Sequence, residues 1–154
     1  YHSYNNRAYS YIMMYKLDKA QKDIDTSFSI KGSNENPYAW LRQSTINYIT
    51  GDREAFNDSI VRYEKDGGKY YEVYYELSTF YLKTTNENVK DYKKALDLAY
   101  QTYHISTANH VQLLLARTFF YVGRKRDAIN MLRQILSFSP NYKDAEDLIN
   151  KIRE

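Results

Sequence analysis

Apolar and small residues recur along this chain at helical spacing, and the pattern returns at a nearly constant interval. Between His110 and Pro140, Leu115, Ala116 and Phe119 sit at offsets 0, +1 and +4, which share one helix face. Gly123 interrupts the pattern, and Arg124, Lys125 and Arg126 complete a tight turn. Asp127 opens a second helix with Ala128, Leu132 and Ile135 at 0, +4 and +7, and Ser139-Pro140 stops it, because proline commonly follows a helix end. The second-helix signature occurs three more times. Asp18-Lys19-Ala20 leads to Ile24 and Ser27, Arg53-Glu54-Ala55-Phe56 to Ile60 and Tyr63, and Asp91-Tyr92-Lys93-Lys94-Ala95 to Ala99 and Thr102. Ala20, Ala55, Ala95 and Ala128 lie 35, 40 and 33 residues apart. Two helices per unit at such a period describe a stacked helical solenoid.

Breaks between units fall at Gly32–Pro37, Asp66-Gly67-Gly68, Ser106–Asn109 and Ser137–Pro140. Asn36-Pro37 reads as a helix cap followed by a first-turn proline. Tyr142 to Glu154 reads as an amphipathic helix with Ala145, Leu148, Ile149 and Ile152 on one face, the cap that a solenoid's last apolar face needs. The pattern thus predicts nine helices and no sheet. They form one all-α array with units over about 1–33, 37–66, 70–106 and 109–140 and a capping helix over about 142–153.

This arrangement resembles the tetratricopeptide repeat (TPR) family. In the fourth unit Leu115, Ala116, Phe119, Gly123, Ala128, Leu132 and Pro140 fall where that family has its leucine, small residue, aromatic, turn glycine, alanine, large apolar residue and proline. The third unit matches with Tyr74, Leu77, Ser78, Tyr81 and Ala95, and carries about five extra residues around Thr84 to Val89, which read as a longer loop. The first matches with Tyr4, Ala8, Tyr11, Ala20 and Ile24, with Arg7 in place of leucine and Gly32 in place of proline. The second departs most. It keeps Trp40 and Gly51, yet Gln43 and Asn47 stand where leucine and an aromatic are expected, and its second helix runs one residue out of phase. The resemblance spans nearly the whole chain and implies a right-handed α-solenoid of tandem helix-turn-helix units.

Composition narrows the functional classes. The absence of cysteine excludes a disulfide framework, a thiolate zinc site and a cysteine nucleophile, and leaves the compartment open. A net charge of 22 − 19 = +3 is too mild for a nucleic-acid groove, and the one compact basic run, Arg124 to Arg126, reads as a solvated turn. The most apolar run, Leu113 to Val122, is interrupted by Arg117 and is too short to span a membrane. The chain begins with Tyr1 rather than methionine, so a signal peptide, lipid anchor or further domain would lie outside it.

Chemistry-bearing motifs are missing: no Gly-x-Ser-x-Gly, no His-Glu-x-x-His, no phosphate loop and no dinucleotide glycine pattern. Gly67-Gly68-Lys69 lacks the upstream glycine of a phosphate loop, whose place Tyr63 takes. His2, His104 and His110 are dispersed; the latter two lie near one predicted junction but have no third ligand nearby. Asp23 and Asp25 begin like a calcium loop but continue as a helix, and the sequon Asn57-Asp58-Ser59 lies on a predicted helix. The chain therefore reads as a non-enzyme without metal or cofactor.

In the family that the chain resembles, ligands often bind the concave surface lined by each unit's first helix. The register implies Asn5, Tyr9 and Met13 from the first unit and Leu41, Arg42, Thr45 and Tyr48 from the second. The third contributes Tyr75, Glu76, Thr79 and Lys83, and the fourth Leu113, Leu114, Arg117, Phe120 and Tyr121. The family's chaperone-binding subgroup grips a C-terminal carboxylate with cations and amides. The matching places here hold Asn5, Tyr9, Arg42, Glu72 and Glu76, and two glutamates repel carboxylates, which argues against a chaperone tail. Tyrosine, at 18 of 154 residues, and arginine suit protein recognition. By register, Tyr4, Tyr11, Tyr74 and Tyr81 belong to packing, while Tyr9, Tyr48, Tyr75 and Tyr121 belong to the groove. The expected function is a protein- or peptide-binding scaffold module. The alternative is an assembly element that self-associates or docks to other domains of its own chain.

Overall fold

The computed structural model describes residues 1–154 and contains nine α-helices and no strand. They are α1 (His2–Met13), α2 (Leu17–Lys31), α3 (Pro37–Thr50), α4 (Arg53–Lys65), α5 (Tyr70–Lys83), α6 (Tyr92–Ile105), α7 (Asn109–Tyr121), α8 (Lys125–Phe138) and α9 (Lys143–Arg153). Consecutive helices pair as α1–α2, α3–α4, α5–α6 and α7–α8, and α9 lies against α7 and α8. Each first helix also packs on the next first helix, whereas no second helix packs on another second helix. A stack whose members touch along one layer and splay along the other must curl toward the touching layer. The first helices therefore form the inner wall of an α-solenoid.

Local chemistry sets the helix ends. Asp52 and Asp91 cap α4 and α6 by accepting from the backbone N–H of Ala55 (3.1 Å) and Lys94 (2.9 Å). Pro37 takes the first turn of α3, but Asn36 does not cap that helix with its side chain. Its amide is fully buried, donating to Ser27 Oγ (3.1 Å) and accepting from Asn5 Nδ2 (3.0 Å), so it ties the first unit to the second. The fourth unit's second helix starts at Lys125, two residues before the expected Asp127, which pairs with Arg124 (2.7 Å) inside the first turn.

The core follows the repeat. Ala20, Ala95 and Ala128 are completely buried at the crossings, on hairpins whose first helices carry the aromatics Tyr11, Tyr81 and Phe119. A small residue on one helix admits a large one from the other. In the second hairpin the sizes are exchanged: Ala55 is only half-buried, Phe56 is buried in its stead, and the first helix offers Asn47 instead of an aromatic. The phase slip expected from the sequence is thus a large-for-small swap. In the first hairpin Arg7 replaces an apolar contact with a two-pronged bond to Asp23 (2.7 Å for each contact), whose carboxylate is buried.

Two junctions depart from simple stacking. The α4–α5 boundary is the sparsest between neighbouring units, while α6–α7 is closely packed. Gly68 lies in the sparse boundary because a Cβ there would sit 2.3 Å from the Tyr63 ring. The second departure joins units that are not neighbours. Thr84 Oγ1 and the Thr85 N–H both donate to the Met13 carbonyl, at 2.8 and 3.0 Å. The loop between α5 and α6 therefore closes the exposed end of α1. Beside it Tyr15 holds a φ of 56°, where the equivalent turns use glycine (Gly51 at 84°, Gly123 at 88°). That conformation is strained for tyrosine, and its ring rests near Phe80 (6.4 Å) of the third unit.

Candidate functional site

The inner wall divides into a closed N-terminal half and an open C-terminal half. In the closed half, Arg42 of α3 forms an ion pair with Glu76 of α5, and Thr45 donates a hydrogen bond to the same carboxylate. The Arg42 side chain is 12% exposed and that of Glu76 6%. The Tyr9 ring from α1 covers the guanidinium at 4.9 Å. Three first helices thus converge on one buried charge pair. Burial pushes the Glu76 carboxyl above its ordinary range, against the pull of Arg42 and Thr45. Burial likewise raises the Tyr9 phenol.

The sequence places fifteen residues with Lys83 on the groove, and the structure sorts them differently. Asn5, Leu41, Thr45, Glu76, Thr79, Leu113 and Leu114 are buried. They face neighbouring helices instead of a ligand, because adjacent first helices pack directly on one another. Arg42 is committed to Glu76 and offers no free charge. Tyr48 leaves the inner wall: its ring meets Phe56 of α4 edge-on at 5.3 Å, in the wedge between the second and third hairpins. Tyr9, Met13, Tyr75, Arg117 and Phe120 remain half-buried, and Tyr121 is exposed.

The open half is a cleft of about 360 Å³ between α5, α7 and α9. Lys83 and Arg117 stand on one wall with Tyr121, and neither cation has a carboxylate partner. Burial and the nearby Arg117 both lower the Lys83 ammonium's pKa. Asp144, Asp147 and Lys151 from α9 form the opposite wall, with Asp147 paired to Lys143 (3.1 Å). The capping helix, absent from the sequence-based groove, thus supplies half of the cleft. Its signal was the solvated side of an amphipathic helix, which only the curl turns inward. No three metal-ligating side chains converge anywhere. His110 contacts Tyr71 (Oη to Nε2, 3.3 Å) and meets the Tyr75 ring edge-on (5.3 Å). No helix is long and apolar enough to cross a membrane.

Nine helices in four stacked hairpins and a terminal cap, curling about their first helices, define the fold as a TPR-type α-solenoid. The fold is similar to that in the crystal structure of the APC/C hetero-tetramer Cut9–Hcn1, a TPR-repeat protein. The TM-score is 0.57 at 18% sequence identity over 98% of this chain, which spans 29% of the length of the matched chain. Comparison with protein-family models and with curated proteins finds no match.

Proposed function

We propose that the chain is a non-catalytic protein-interaction module that holds a peptide segment of a partner in the C-terminal half of its inner wall. The observation that carries this reading is the open cleft with Lys83 and Arg117 on one side and Asp144 on the other, none of them satisfied within the chain. Opposed unpaired charges beside the exposed Tyr121 ring suit a segment that carries both acidic and basic side chains around an apolar contact. The fold itself hosts many activities, so the fold alone selects no partner. Peptides selected from a random displayed library on the wild-type chain should bind the Arg117→Ala/Tyr121→Ala variant at least about tenfold more weakly. Stability should change by no more than about 1 kcal/mol, since Tyr121 is exposed and the half-buried Arg117 makes no ion pair within the chain. Equal binding by the variant would remove the cleft assignment.

Assembly is the second reading, and one observation favours it. Ile30, Ile105 and Phe138 each lie ten residues after a buried crossing alanine, and they are 57, 49 and 85% exposed. Exposed apolar residues at a repeated position are the expected mark of a docking edge. Light scattering across a concentration series tests it: a monomer throughout removes self-association.

A further inference from the structure

The wedge between the second and third hairpins holds a second cavity, of about 370 Å³, lined by α3, α4, α5 and α6. Its origin is the size exchange described above. Phe56 occupies the place of an alanine and Asn47 that of an aromatic, and the α4–α5 boundary beside them is sparse. Tyr48, Phe56 and Tyr74 line the cavity with rings set edge to face, at 5.3 Å for Tyr48–Phe56 and 6.5 Å for Phe56–Tyr74. Arg53 and Lys94 bring two cations, and neither takes part in any ion pair of the chain. The Lys94 ammonium instead stands over the faces of Tyr48 (5.4 Å) and Tyr81 (4.7 Å). Amide side chains of Asn57 and Gln101 complete the polar lining, which includes no Asp or Glu.

We infer that this cavity binds a carboxylate carried on a flat apolar body. The two cations supply charge-assisted bonds to the carboxylate, the amides add donors, and the rings receive the apolar body. With no acidic side chain in the lining, nothing repels an anion and nothing neutralises a cation. A free aromatic acid and the C-terminal phenylalanine of a peptide present the same chemistry. The inference does not depend on the inner-wall cleft, which lies on other helices.

The test is a backbone-amide NMR titration of the whole chain with 3-phenylpropionate, and in parallel with a short peptide ending in phenylalanine. Each has a control in which the carboxylate is converted to an amide. The acids should shift amides around Gly51, Asn57 and Gln101, and the amide controls should bind at least about tenfold more weakly. The source is then the acid that binds more tightly. Lys94→Gln should weaken binding about tenfold, and Arg53→Gln, an exposed position in the first turn of α4, by a few-fold. If Lys94→Gln disturbs the rings it covers and unfolds, the Arg53→Gln comparison carries the test alone. Absence of shifts up to about 10 mM of either acid, or equal binding by acid and amide, overturns the proposal.

Discussion

The second and fourth hairpins are built to the same plan, and they solve the same packing problem in opposite ways. In the fourth, Leu115, Ala116 and Phe119 present an apolar face to the completely buried Ala128, and α7 packs closely on α6 of the preceding unit. In the second, the equivalent positions hold the polar Gln43, Ser44 and Asn47, and Asn47 lies beside Phe56 in the wedge. Gln43 bonds Gln21 (2.9 Å) and Asn47 (3.0 Å), so an amide chain runs where leucine would pack. The first arrangement packs closely against the third hairpin along α6 and α7, and the second leaves a wedge with an unpaired Arg53 and Lys94 at its lining. Divergence from the repeat pattern is thus where the array exchanges stability for a cavity.

The largest losses are expected at the two buried side chains in which the hairpins differ. Leu115→Ala should cost about 2–5 kcal/mol and Phe56→Ala about 3–5 kcal/mol in chemical denaturation. If the size exchange is real, adding Asn47→Tyr to Phe56→Ala restores the pattern of the fourth unit and recovers part of the loss. A coupling of at least about 0.5 kcal/mol between the two sites is expected, and strict additivity would refute the exchange. Gly68→Ala comes next. A methyl group there displaces the Tyr63 ring, whose hydroxyl donates to Glu72 (2.9 Å), and should cost about 1–3 kcal/mol while opening the α4–α5 boundary further. Amide hydrogen exchange should quicken in α4 before α8.

The smallest effect concerns the charge pair that joins the second unit to the third. Burial holds the Glu76 carboxyl above its ordinary value of 4.5, so the folded chain binds more protons there than the unfolded chain does. The contribution to stability is therefore complete below 4.5 and is lost as pH rises through the raised folded value. Relative to Glu76→Gln, the wild-type chain should lose stability as the pH rises above about 4.5. A rising difference would mean that the attraction of Arg42 outweighs burial.

The fold was legible because its signals are local and repeated. Helix periodicity, the turn glycines Gly51 and Gly123 and the crossing alanines each recur, and the structure returns nine helices and no strand. The inner wall was less legible, because side-chain exposure there depends on how tightly the units curl, and the contacts that set the curl lie far apart in sequence. Arg42 and Glu76 are nevertheless 34 residues apart, one repeat, and Asn5 and Asn36 are 31 apart. Complementary side chains at a one-repeat spacing are a usable sign that neighbouring first helices bond each other and not a ligand. Tyr48 was misplaced for a related reason: its ring meets Phe56 of α4, a contact that the helix register alone does not reveal.

The bond from Thr84 to the Met13 carbonyl spans 71 residues. A nearest-neighbour stack grows from any unit outward, each hairpin docking on the last. Here the Met13 carbonyl at the end of α1 finds its partners in the chain only when the loop after α5 is in place. During synthesis, then, the first hairpin emerges before the third but is completed only after the third has formed. This long closure raises the mean separation of contacts and slows folding relative to a stack without it. In return, the first unit cannot peel away from the second without also breaking from the third, so two units hold it at once.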